Sequence, residues 1–96
     1  MPYKLIYPAS YIRRARKFLS KHPGIHVQYR KTLELLELNP FHPSLRLHSL
    51  KGQLSGLSSV SINMSYRIVI ELVIEGDEIL LVSCFSVRKR ANSGGK

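Results

Sequence analysis

Leu45-Arg-Leu-His-Ser-Leu-Lys-Gly52, a Gly/Ser-rich bend, then Val60-Ser-Ile-Asn-Met-Ser-Tyr-Arg-Ile-Val-Ile-Glu-Leu72 is the stretch whose reading decides the fold. Its second half alternates. Ser58, Val60 and Ile62 fall on one side of an extended chain and Leu57, Ser59, Ser61 and Asn63 on the other, as the two-residue strand period requires. Asn63 to Ser65 is a turn. The following strand places Tyr66, Ile68, Ile70, Leu72 and Ile74 on one face and Arg67, Val69, Glu71 and Val73 on the opposite one. Glu75-Gly76-Asp77 is a second turn, with the glycine expected at the positive backbone angle. Ile79 to Phe85 is almost continuously apolar, the pattern of a central strand covered on both faces.

Upstream the period changes. Tyr3 to Tyr7 reads as a short strand ended by Pro8, after which Ser10 can cap a helix with Tyr11 or Ile12, Ala15, and Phe18 or Leu19 on its inner face. Arg13, Arg14, Arg16 and Lys17 take the wet side. His22-Pro23-Gly24 stops that helix, and a second apolar stripe runs through Ile25, Tyr29, Leu33 and Leu36 until Asn39-Pro40 ends it. From Pro40 to Gly56 turn residues dominate, and this segment reads as a loop with a capacity for function. The resulting expectation is an α+β single domain in the order β-α-α-β-β-β, a small antiparallel sheet with an N-terminal helical hairpin packed on one face. Residues 1–90 form that domain, and 91–96 read as a flexible tail.

Ninety-six residues with 44% hydrophobic content suffice for one modest core. Fifteen Lys and Arg against six acids give a net charge of +9. The excess is polarised: residues 1–33 carry eight basic residues and no acid, while four of the six acids lie between Glu71 and Glu78. A polyanionic partner, nucleic acid first, would neutralise such a surface; an acidic protein partner is the other reading. A single cysteine excludes an internal disulfide, and no Cys/His spacing suggests zinc, so no metal or cofactor is implied. With no signal-peptide core and no membrane-spanning run, the expected location is the cytoplasm and no membrane partner is expected.

Arg67 on a rigid strand suits bidentate phosphate binding, the alternative being an exposed pair with Glu71 two residues along. Lys51 beside Gly52 offers a second phosphate contact, and His48 a general acid or base if the fold brings it to the same place. His22, His26 and His42 lack a neighbouring constellation in the sequence. Arg88-Lys89-Arg90 follows the last strand directly, presenting its charge at a strand end.

Taken together, Asn39-Pro-Phe-His-Pro-Ser-Leu-Arg46, His48-Ser-Leu-Lys-Gly52 and Ser65-Tyr-Arg-Ile-Val69, after a short strand and a basic helical hairpin, resemble the RelE/ParE superfamily of type II toxin-antitoxin toxins. The resemblance covers nearly the whole chain. It implies a toxin silenced by a cognate antitoxin, acting either as a metal-independent mRNA endoribonuclease in the ribosomal A site or, ParE-like, on DNA gyrase without catalysis. For RNA cleavage the 2′-hydroxyl would attack the adjacent phosphate, with His48, Arg67 and Arg90 as the matching catalytic positions and Arg46, Lys51, Tyr66, Arg88 and Lys89 as RNA contacts. Arg90 would stabilise the developing negative charge. The departures are specific. Two lysines of RelE fall at Ser59 and Ser61, the catalytic histidine of YafQ-like members falls at Val87, and the C-terminal tyrosine of RelE-like toxins has no counterpart after Arg90. A catalytically degenerate member that only binds antitoxin is the remaining alternative.

Overall fold

In the computed structural model, residues 2–73 and 76–87 are described. The chain runs β1 (Lys4–Ile6), α1 (Ala9–Lys21), α2 (His26–Leu38), β2 (His48–Ser49), β3 (Ser58–Ser61), β4 (Tyr66–Val73) and β5 (Glu78–Ser86). Short 3₁₀ turns at Pro23–Ile25, Pro43–Leu45 and Gly52–Leu54 join them. The strands form one sheet in the order β1-β5-β4-β3-β2. β5 is therefore internal, as its unbroken apolar run requires.

The sheet is mixed, not wholly antiparallel as expected. β1 pairs in parallel with β5, Leu5 opposite Ile79, while every other pair is antiparallel. The helical hairpin is the crossover that makes this possible: it carries the chain over one face before the meander begins, leaving the β1 edge for the last strand to join. Strand pairing of this kind has no local signature, so hydropathy alternation could not show it.

Pro8 stands at the N-cap of α1 in extended conformation, with no side-chain cap, and its carbonyl accepts from Ile12 N–H at 3.0 Å. Ser10, expected to cap, lies inside the first turn. Proline serves here because it cannot donate to the sheet and so ends β1. Tyr11 and Ala15 of α1 and Leu36 of α2 are buried with Ile25, Val60, Ile62, Ile68, Ile70, Ile79 and Leu81. The inner faces read from the periodicity are thus the core. Burial decides between the paired α1 candidates only in part: Ile12 is 42% exposed, whereas Phe18 and Leu19 both pack against the core.

A register shift between Val69 and Ile70 sets the faces of β5. Ile70 pairs with Leu81 but Val69 with Ser83, so the strand gains one residue against its neighbour. An extra residue flips everything beyond it to the other face. Cys84 consequently points into the core, where its Sγ lies 3.7 Å from the Tyr11 hydroxyl. Burial, first of all, pushes the Cys84 thiol above its ordinary value.

Asn63 makes the turn between β3 and β4, its Oδ1 accepting from Ser65 N–H at 2.7 Å and Tyr66 N–H at 3.1 Å. In the next turn the left-handed residue is Asp77 (φ 51°) and not Gly76, the residue expected there. Aspartate is among the few side chains that tolerate that region. The segment expected to be a loop, Pro40 to Gly56, instead holds β2 and two 3₁₀ turns, and it anchors itself by burying Leu45 to 2% exposure. No helix is long and apolar enough to cross a membrane among the described residues.

Candidate functional site on the open sheet face

Helices cover only one face of the sheet. The other face is read from the register: His48 stands opposite Ser59, Ser59 opposite Val69, Ser61 opposite Arg67, and Arg67 opposite Phe85. Residues directly across a ladder share a face, so these side chains converge on the side away from the helices, where Ser59 and Val69 are themselves buried.

Arg67 is the best-defined of them. Its Nε donates to Ser59 Oγ at 2.9 Å, and its Nη2 donates to the carbonyl oxygens of Arg46 at 2.7 Å and Ser59 at 3.1 Å. The guanidinium is therefore held along one edge. Among the described residues Nη1 has no protein partner, which leaves one end of the fork for an external acceptor. Ser59, only 1% exposed, has its hydroxyl satisfied by this bond, and no buried side-chain polar atom is left without a partner among the described residues. The expected alternative, pairing of Arg67 with Glu71, is not formed; the side chain reaches back across β3 instead.

Arg46 is positioned by local chemistry. It ends the Pro43–Leu45 turn in a left-handed conformation (φ 50°, ψ 53°), its N–H bonded to the Pro43 carbonyl at 3.1 Å. That geometry swings its own carbonyl toward Arg67. A non-glycine residue there costs on the order of 1 kcal/mol, which the charge-assisted bond to Arg67 offsets. The two cations also oppose each other: burial, then the nearby Arg46 charge, lowers the Arg67 pKa. Among the described residues no carboxylate neutralises the pair, so the site favours an anion.

Ser44, Arg46, Ser61, Asn63, Arg67 and Val87 line an open cleft of about 270 Å³. Ser44 is tied to His42, whose Nδ1 accepts from Ser44 N–H at 3.1 Å and lies 2.7 Å from Ser44 Oγ. Phe85, 36% exposed, stands across from Arg67 on β5. Sequence reading missed these three. Alternation could have found Phe85, but His42 and Ser44 lie in a turn, where no period assigns a direction.

The remaining expected site residues divide. His48 is exposed on edge strand β2 and shares the Arg67 face, though it does not line the cleft. Lys51 is exposed at the head of the Gly52–Leu54 turn and also lies outside it. Gly52 has φ 70° with nothing within 4 Å of a built Cβ, so the glycine is there for the backbone angle and not for lack of space. Tyr66 belongs to the other face: its ring meets Phe18 edge-on at 5.5 Å and His22 at 4.6 Å, beneath the helices. Adjacent residues on a strand point oppositely, so Tyr66 and Arg67 cannot share a site on one face. Arg88, Lys89 and Arg90 lie outside the described residues.

No family model and no curated relative matches the chain. Solved structures do. YafQ from E. coli superposes with a TM-score of 0.71 at 14% identity, over 97% of this chain and 99% of that one. A chain of the toxin-antitoxin complex RelBE2 from Mycobacterium tuberculosis gives 0.67 at 16% identity, over 91% and 100%. The YoeB/ParE toxin from Agrobacterium tumefaciens gives 0.69 at 19% identity, over 88% and 99%. At such identities the shared property is the backbone arrangement, which agrees with the resemblance carried by the motifs between Asn39 and Val69, and the chain has the fold of the RelE/ParE-type toxins of toxin-antitoxin systems.

Proposed function

We propose that this chain is the toxin of a type II toxin-antitoxin module, a ribosome-dependent mRNA endoribonuclease held silent by a cognate antitoxin. The observation that carries the reading is the Arg67 guanidinium, clamped on one edge by Ser59 and the Arg46 carbonyl and open at Nη1, in a cleft that also holds Arg46 and has no neutralising carboxylate among the described residues. Such an arrangement binds a phosphodiester and stabilises charge developing on it during transfer to the 2′-oxygen. His48 supplies a proton to the departing 5′-oxygen, and Phe85 offers a ring face to an unstacked base. Arg88, Lys89 and Arg90, which follow β5 in the sequence, add positive charge toward the RNA, and Lys51 contacts the phosphate chain further along.

Expression of the wild-type protein in bacteria is expected to arrest growth and to yield transcripts cut on ribosomes. Arg67→Ala is expected to abolish both while leaving the fold intact. Intact transcripts at a toxic level of expression would overturn the nuclease reading.

Serines at positions 59 and 61, where the resembled nucleases carry lysines, favour a second reading, a ParE-like toxin acting on DNA gyrase through protein contacts. Inhibition of gyrase supercoiling by the purified protein distinguishes it, since the nuclease reading predicts none. Harmless expression without antitoxin would indicate a degenerate member that only binds its partner.

A further inference from the structure

Ser44 lines the Arg67 cleft with His42 bonded to it, and the phosphate clamp makes no use of either. Their hydrogen bonding fixes the chemistry. A backbone N–H can only donate, so Ser44 N–H at 3.1 Å makes His42 Nδ1 an acceptor. The imidazole is then the neutral tautomer with its proton on Nε2. It follows that the contact of 2.7 Å between Ser44 Oγ and Nδ1 has the hydroxyl as donor. The serine hydroxyl is thereby polarised, and Ser44 shares its cleft with Arg67.

Capping alone does not account for a histidine here. Among the described residues the same bond from residue i+2 to a side chain occurs twice more, with asparagine each time: Asn39 Oδ1 accepts from Phe41 N–H at 3.0 Å and Asn63 Oδ1 from Ser65 N–H at 2.7 Å. An amide oxygen performs that task but cannot take up a proton. Imidazole can, since it changes charge between about pH 5 and 8.

We propose that Ser44 and His42 form the proton-accepting arm of the site, a relay through which the ribose 2′-hydroxyl is deprotonated. The proposal rests on the RNA-cleavage reading and supplies the base that Ser59 and Ser61 lack. In the step, the 2′-hydroxyl passes its proton to Ser44 Oγ while Ser44 passes its own to His42 Nδ1. The 2′-oxygen bonds to phosphorus, the bond from phosphorus to the 5′-oxygen breaks, and that oxygen takes a proton from His48. The products are a 2′,3′-cyclic phosphate and a free 5′-hydroxyl; the proton gained by His42 goes to solvent, and His48 takes one back from it. Ser44 touches the substrate; His42 acts through it. The charged groups around the pair are Arg46 and Arg67 in the cleft and Lys31 of α2 in the adjoining one, while β3 contributes only the uncharged Ser61 and Ile62.

The test is single-turnover cleavage of mRNA on programmed ribosomes by the full chain. His42→Asn keeps the cap and removes the proton acceptor; Ser44→Ala removes the relay oxygen. Each is expected to slow cleavage by about 100-fold, within the range general base catalysis contributes, with thermal midpoints unchanged. The double variant is expected to be no slower than either single one, because the two act as a unit. The fall in wild-type rate toward acid pH should flatten in His42→Asn. A cleaving wild type with His42→Asn within threefold of it overturns the relay and leaves the nuclease reading standing. So does a double variant whose losses multiply. A wild type that cleaves nothing overturns the nuclease reading itself, and the relay with it.

Discussion

Ser59→Ala tests whether the Arg67 clamp is an energetic unit. The substitution removes one acceptor, Ser59 Oγ at 2.9 Å from Nε, and spares the two carbonyl bonds to Nη2. A hydrogen bond to a charged group contributes about 1.5–3 kcal/mol. Because Arg67 is only half-buried, water replaces part of the lost bond, and the expected cost is about 1–2 kcal/mol. For a chain of this size that corresponds to a fall of roughly 4–15 °C in Tm. The sharper readout is a double-mutant cycle with Arg67→Ala, measured by urea unfolding. Once the guanidinium is gone, Ser59 Oγ is a buried hydroxyl without its partner, and replacing it by alanine should cost nothing. The coupling energy is therefore expected at about 1–2 kcal/mol. A coupling below about 0.3 kcal/mol, the scatter of independent sites, would refute the clamp.

Further outcomes follow from the cleft and from the buried tyrosine cluster. Arg46→Gly relieves a left-handed backbone worth about 1 kcal/mol and adds chain entropy of similar size, so stability should change by less than about 0.5 kcal/mol; RNA binding should nevertheless weaken, its salt slope shallower by about 0.7 for one lost phosphate contact. Tyr7, Tyr11 and Tyr29 are raised above the ordinary 10.0, and Cys84 above 9.0, in every case with burial as the leading cause. Raised folded values mean that the unfolded chain releases these protons first, so the contribution of these groups to the unfolding free energy should be level through neutral pH and decline as pH rises from about 8. Tyr11→Phe should make that alkaline decline shallower, as followed by urea midpoints across pH 8 to 11. It should also cost roughly 1 kcal/mol at neutral pH for the hydroxyl contacts to Tyr29 and Cys84.

Much of the architecture was legible in the chain. Proline and glycine at 23 and 24, Asn39-Pro40 and the Asn63 turn punctuate it at the observed boundaries, and the inner faces of both helices and of β3 and β4 follow from periods of 3.6 and 2. Those signals are local, set by backbone geometry and by which side of an element meets water. They extend to the face of Arg67, which alternation set opposite the Ile68, Ile70 and Leu72 stripe; its serine partner came from the register.

What alternation could not supply was anything requiring a distant partner. The parallel pairing of β1 with β5 joins residues more than seventy positions apart, and its hydrogen bonds use backbone groups that every residue carries. The shift at Val69/Ile70 is a property of two strands together, and it alone turns Cys84 inward. Two-residue β2 is too short to show a period and exists because β3 offers it an edge. The cleft is likewise tertiary. Sequence determined that Arg67 would leave the sheet on the uncovered side. Only the folded chain decided what would hold it there, because the Arg46 carbonyl comes from a turn twenty-one residues upstream and Ser44 reaches the same cleft beside Leu45, which is buried in the core.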